Sequence, residues 1–301
     1  MTVIAIIAAL LLEQWRPLGG LKAWFAVLDD MAARLERAFN AEQGSQGLIA
    51  WLVGVGPAFA LAIAVHSLLR LASPLLSLLF DIAVLYLTLG FRQFSHSFTA
   101  IQTALKAGDV ERASELIAEW RGEPAAPRAR EEIVRLSVEE ALLASQRHVF
   151  GVLLWYVLLP GPSGAILYRF AVFLRRRWSP LGAFGEFAER ALFVLEWPAV
   201  RLTAAVFAVV GNFEDAVYCW RTQARNWADR NAGVVLAAGA GAMGVHLGPT
   251  SAGDGAEARP ELGVGEAADV PTLDATVGML WRALVVWVFV LGLLSIAHQL
   301  G

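Results

Sequence analysis

GLIAWLVGVGPAFALAIAVHSLLRLASPLLSLLFDIAVLYLTLGF, residues 47–91, is the stretch whose reading decides the fold. It holds two apolar runs, 47–69 and 71–91, each about as long as a membrane-spanning helix, roughly 20 residues. Ser73-Pro74 near the start of the second run suits the beginning of a helix. Three further runs of similar length follow at 149–174, 191–211 and 277–297. A charge at the centre of a bilayer costs on the order of 3 kcal/mol or more, so such residues are rare and usually functional. This chain keeps Asp81, Glu196 and Arg201 inside its apolar runs. The pattern predicts an all-α, multi-pass membrane protein with a polar site within or at the edge of its helices.

Composition agrees. Of 301 residues, 57% are hydrophobic and only 17% charged, against about 25% charged in an ordinary soluble domain. A net charge of −3 offers no basic surface for nucleic acid. A single cysteine, Cys219, excludes a disulfide framework or a Cys-rich metal site. The eleven tryptophans mostly flank the apolar runs, where an interfacial aromatic belt lies. Residues 1–12 are apolar but lack a basic leading region. They read as a poor cleavable signal and as too short to span.

The chain divides into six parts. Residues 1–46 carry the first apolar segment and an amphipathic helix with Leu21, Trp24, Phe25, Leu28, Met31 and Leu35 at helical spacing. Residues 47–91 are two membrane helices. Residues 92–147, rich in Glu and Arg, are a soluble helical insertion broken near Gly122-Glu123-Pro124, with Asp109 as an N-cap. Residues 148–249 hold a membrane hairpin interrupted at Pro160-Gly161-Pro162, a helix bent at Pro198, and a helix of small residues. Residues 250–276 read as a flexible loop, and 277–301 as a final membrane helix. Basic residues on both sides of 149–174 favour a hairpin over a crossing and place those flanks in the cytoplasm.

Four segments carry a family resemblance. They are ALKAGDVERASELIAEWRG at 104–122, VEEALLASQRHVFGVLLWYVLLPGPSGAILYRF at 138–170, EWPAVRLTA at 196–204 and DRNAGVVLAAGAGAMGVHLGP at 229–249. In this order they resemble the CobD/CbiB family of membrane proteins and its relative AmpE. The resemblance implies a bacterial inner-membrane location. It also implies one of two roles: the amide-forming step of cobalamin synthesis, or, for AmpE, cell-wall signalling.

Several family positions differ. Synthase members carry Arg-Asp-Thr where this chain has Arg121-Gly122-Glu123, Asp-Asp where it has Leu192-Phe193, and Trp-Pro-Glu where it has Val234-Val235-Leu236. ATP-driven amide formation needs oxygen ligands for a metal and cations for phosphate. The loss of acidic motifs leads to the expectation of a catalytically degenerate member that binds a ligand or partner and signals or scaffolds. The alternative is an adenosylcobinamide-phosphate synthase-type enzyme, the one case in which Mg and ATP enter as cofactors. Whether the chain is an enzyme is left open. The expected partners are the lipid bilayer, a corrinoid or other anionic ligand, and a protein.

The ligand-binding candidates are Glu139, Arg169, Glu196, Arg201 and Asn231. Arg169 follows Tyr168 at a family Tyr-Arg position and suits a phosphate; pairing with a glutamate of the insertion is as good an account. Glu196 and Arg201 serve an anionic ligand or fix packing. Glu139 is an acid or ligand, or else part of a solvated helix face, the more frequent case. Asn231 sits in a polar turn with Asp229 and Arg230, which binds an anion or simply caps the next helix. No metal ligand is assigned, because the five histidines show no ligand spacing.

Overall fold

A computed structural model describes residues 2–15, 21–39, 44–247 and 260–300. Among these the chain is all-α apart from one two-residue strand pair. Four helices are long and apolar enough to cross a membrane: Ser45–Ala72, Arg130–Leu158, Glu186–Val210 and Val270–Ser295. Backbone contacts divide the chain into two units. Unit 1 holds residues 1–90, 147–197 and 290–301; unit 2 holds 91–146 and 198–289.

Unit 1 starts with α1 (Thr2–Trp15), which packs on α4 (Pro74–Thr88). Next come α2 (Leu21–Phe39) and α3 (Gly44–Ala72), also packed together. The side chains of Leu21, Trp24 and Phe25 lie outside the described residues; Leu28 is buried as its spacing predicts. Ser73 caps α4, its Oγ accepting from the Leu75 amide at 3.3 Å, and Pro74 opens the helix. A proline fits there because the first helical N–H has no partner in any case.

The run 71–91 is therefore shorter than its apolar length suggests. Ser73-Pro74 starts α4 late and Leu89 ends it. Its 15 residues span about 22 Å at 1.5 Å each, less than a bilayer core of about 30 Å.

The insertion boundary expected at Arg147 falls inside a helix. Then α7 (Arg130–Ser145) runs into a single π-turn, Gln146–Phe150, and on into α8 (Gly151–Leu158). No proline lies between Arg130 and Leu158 to stop it, and the π-turn absorbs one extra residue without ending the helix. The break comes at Leu159–Pro162, as Pro160 and Pro162 dictate. After it α9 (Ser163–Trp178) packs back on α8. A 3-10 stretch, Ser179–Phe184, then folds against α3. There Trp178, Phe184, Ala50, Val55, Leu174 and Ala188 form a buried core. Next is α10 (Glu186–Val210), which contains Pro198.

Unit 2 opens with α5 (Phe91–Lys106) and α6 (Val110–Arg121), both packed on α7. Asp109 is the N-cap of α6, accepting from the Arg112 amide at 2.9 Å, and Gly122 ends it at φ +70°. Further on α11 (Phe213–Thr222) packs on α12 (Arg230–Met243). The glycines of α12 serve close approach: a Cβ on Gly241 would lie 2.5 Å from the Asp215 carbonyl oxygen. The strands β1 (Val245–His246) and β2 (Glu266–Ala267) pair in parallel.

Of the loop expected at 250–276, residues 250–259 lie outside the described residues. The remainder does not stay a loop: it carries β2 and turns helical at Val270, where α13 (Val270–Leu300) begins. The final membrane helix thus starts before the apolar run at 277, because Thr272 and Asp269 cap its first turn with reciprocal hydrogen bonds of 2.8–3.2 Å.

Candidate functional site

One set of polar groups of unit 1 gathers where the π-turn meets α9 and α10. A π-turn widens the helix and re-aims its side chains, and it recurs at functional sites. Here it presents Arg147 and His148. Arg147 Nε lies 3.4 Å from Glu196 Oε1 on α10. The Glu196 side chain is 4% exposed, so this pairing compensates a buried charge, whereas Arg147 at 27% still reaches solvent. Removing Arg147 leaves the buried Glu196 charge without this partner and is destabilising. One residue before Glu196, the Leu195 carbonyl accepts from Trp155 Nε1 at 3.0 Å and ties α8 to α10.

Arg169 comes from α9, inside the returning limb of the hairpin. Its guanidinium donates to His148 Nδ1. A guanidinium has donors only, so His148 Nδ1 must carry a lone pair and the ring proton sits on Nε2. Arg147 and Arg176 also bear electrostatically on His148, and the Glu13 carboxylate of α1 bears on Arg169. The backbone supports this arrangement: Gly90 N–H donates to the His148 carbonyl at 3.3 Å, and Gly90 has no side chain to crowd the ring, which a Cβ would meet at 3.3 Å. Tyr168 packs over Gly151, where a Cβ would lie 2.3 Å from the ring. The result is a concentration of cationic donors at the base of the hairpin, with two carboxylates beside it. Such a set suits an anion.

Unit 2 holds the other candidates. Glu139 is 3% exposed, which overturns the solvated-face expectation: α7 is covered by α5, α6 and α12. Its carboxylate lies 3.9 Å from Arg135 Nε one turn earlier. Asn231 is 1% exposed in the first turn of α12, and Asp229 caps that helix by accepting from the Asn231 and Ala232 amides at 3.0 and 3.2 Å. Asp229 thus acts as the cap of α12. Arg201 is partly buried on α10. Two positions on, Thr203 Oγ1 donates to Gln146 Oε1 at 2.6 Å, with both residues buried. Cys219 is buried, and burial with the nearby Asp215 pushes its thiol up to about 11, so it is no thiolate nucleophile.

The structure thus brings Glu196 together with Arg147, and Arg169 together with His148, in unit 1; Glu139, Arg201 and Asn231 belong to unit 2. Sequence reasoning missed His148, Gln146 and Thr203. The available signal was two polar residues, Arg147-His148, directly ahead of an apolar run. Among the described residues no three His, Cys, Asp or Glu side chains group to hold a metal.

Comparison with known proteins completes the picture. The family model described as CobD/Cbib protein matches residues 4–280. "Cobalamin biosynthesis protein CobD" of Stutzerimonas stutzeri (strain A1501) is 34% identical over 270 residues, 87% of each chain. The protein of the same name from Chromobacterium violaceum is 31% identical over 287 residues, covering 91% of this chain and 88% of its own. No solved structure matches.

Proposed function

We propose, from the premise that this chain belongs to the CobD/Cbib protein family, that it is an inner-membrane enzyme of cobalamin biosynthesis. Its reaction joins the carboxylate of a corrinoid to an aminopropanol-type amine as an amide. The observation that carries this reading is the pair of relatives at 31–34% identity, each named for cobalamin biosynthesis over nearly its whole length. Neither relative carries an AmpE name, and this favours the amide-forming alternative over the degenerate, signalling one.

The hairpin-base cluster supplies what such a reaction asks of a protein. A carboxylate becomes reactive toward an amine once a nucleoside triphosphate has converted it to an acyl phosphate. Both steps develop negative charge on phosphate and acyl oxygens. Arg169 and Arg147 place fixed positive charge in an apolar surrounding, where it counts for more than in water. His148, neutral with its proton on Nε2, adds an uncharged donor. Glu196 holds Arg147 in place. Glu139, Arg201 and Asn231 are proposed as further ligand-binding positions of unit 2.

A magnesium ion accompanies nucleotide phosphates and is bound through one or two carboxylates. Among the described residues no three His, Cys, Asp or Glu side chains group to hold a resident metal, and Glu196 is paired with Arg147. No step is routed through one.

Expression in a bacterium deleted for its own synthase tests the reading. Growth that depends on endogenous cobalamin is expected to return with the wild-type gene. Failure at normal membrane levels of the protein, beside a restoring synthase gene, would overturn it.

A further inference from the structure

Unit 1 contains a second buried polar group that the reading above leaves unused. His66 of α3, Asp81 of α4 and Tyr156 of α8 meet inside apolar helices. His66 Nδ1 lies 2.8 Å from Asp81 Oδ1, and the Tyr156 hydroxyl donates to Asp81 Oδ2 at 3.1 Å. The His66 and Asp81 side chains are each only 12% exposed. With Asp81 ionised, the tyrosine proton occupies one carboxylate oxygen and His66 Nδ1 donates to the other. A neutral imidazole that donates at Nδ1 carries its basic lone pair on Nε2.

The ring is held from a second side as well. Gly161, in the hairpin turn at φ +57°, packs against it, and a Cβ there would lie 2.4 Å from His66 Cγ. Orientation by a carboxylate plus a fixed ring position is the arrangement that makes a histidine a directed base. The other imidazole described in unit 1, His148, has its Nδ1 lone pair occupied by Arg169, and Glu196 is paired. Besides Asp81, the groups that bear on this dyad are Tyr156 from α8 and Arg70 from α3.

Amide formation needs a base. An aliphatic primary amine is an ammonium ion near neutral pH and has no lone pair until it loses a proton. We infer that His66, held by Asp81 and Tyr156, receives the aliphatic primary amine and takes that proton. The inference rests on the amide-forming reading. The ammonium N–H proton passes to His66 Nε2, leaving a neutral amine and an imidazolium balanced by Asp81. The amine lone pair forms the C–N bond to the acyl phosphate that a nucleoside triphosphate has generated. The carbon–oxygen bond to phosphate breaks, and phosphate leaves with that electron pair. The surplus proton on nitrogen goes to the departing phosphate. Asp81 and Tyr156 are positioning residues; His66 is the catalytic one.

The test uses the full chain in lipid nanodiscs with adenosylcobyric acid, aminopropanol phosphate, ATP and Mg²⁺. His66→Gln is expected to lower kcat roughly 100-fold or more, the usual scale for a lost base, with KM for the amine within about threefold. That loss should shrink as pH rises and free amine accumulates. Asp81→Asn should lower kcat as well, and Tyr156→Phe less. Nitrogen-15 NMR of the imidazoles should show wild-type His66 protonated at Nδ1 and not at Nε2, a readout independent of turnover. Wild-type turnover with an unimpaired His66→Gln, or a His66 ring protonated only at Nε2, overturns the base assignment alone. No wild-type product beside an active synthase overturns the amide-forming reading, and this assignment with it.

Discussion

Gly164→Ala is expected to remove most of the folded protein. Gly164 sits in the first turn of α9, where that helix folds back over α8. A Cβ there would lie 1.9 Å from the Trp155 carbonyl oxygen and 3.1 Å from Leu159 Cβ. The first neighbour is backbone and cannot rotate away, so the hairpin must open. Forcing extra volume into a packed site costs about 1–3 kcal/mol and sometimes more, and a backbone obstacle at this distance belongs at the upper end. Opening the hairpin also separates Arg169 from His148, and so links a packing fault to the site. Gly56→Ala is the matched control. Gly56 lies in α3 with nothing within 4 Å of its Cβ position, and alanine favours helix by about 1 kcal/mol. Thermal unfolding in detergent should show Gly164→Ala strongly destabilised and Gly56→Ala unchanged or improved. Equal behaviour would contradict the hairpin packing.

Arg169→Ala is expected to lower kcat/KM for amide formation roughly 100- to 1000-fold, the scale of losing one donor to developing negative charge. Arg169→Lys should recover little of it. Lysine keeps the charge but lacks the planar fork that reaches His148 and a ligand oxygen together. The Arg147–Glu196 pair is untouched by either change, and the yield and monodispersity of each variant are measured beside wild type. Steady-state kinetics on both variants checks this. Wild-type kcat/KM in Arg169→Ala would remove the anion-binding role.

What was legible in the sequence follows from what periodicity encodes. Long apolar runs announce themselves because bilayer thickness sets their length, so the all-α membrane fold was readable from residues 47–91, and the ordered motifs placed the family. Local chemistry was readable too: Asp109, Ser73 and Gly122 act on their own helix ends. The π-turn at Gln146–Phe150 was not. It adds one residue to a helix whose flanking pattern still looks regular, and its effect is felt in which residues it re-aims. Asp81 stood out as a charge in an apolar run, yet its partners His66 and Tyr156 lie 15 and 75 residues away, a distance no local pattern spans. Glu139 carries the opposite lesson. Its helix is rich in charge, with Glu131, Glu132, Arg135 and Glu140, but three helices of unit 2 pack on that helix. Burial is a tertiary property, and one helix's composition does not contain it.

The amide product itself gives the most direct test of the central claim. Purified wild-type protein would be mixed with adenosylcobyric acid, aminopropanol phosphate, ATP and Mg²⁺, and the products weighed by mass spectrometry. An amide of the expected mass above a denatured control, with release of ADP and phosphate, is what a working enzyme of cobalamin biosynthesis predicts. Absence of that amide, beside an active synthase run in parallel, would contradict it and return the chain to a binding or scaffolding role.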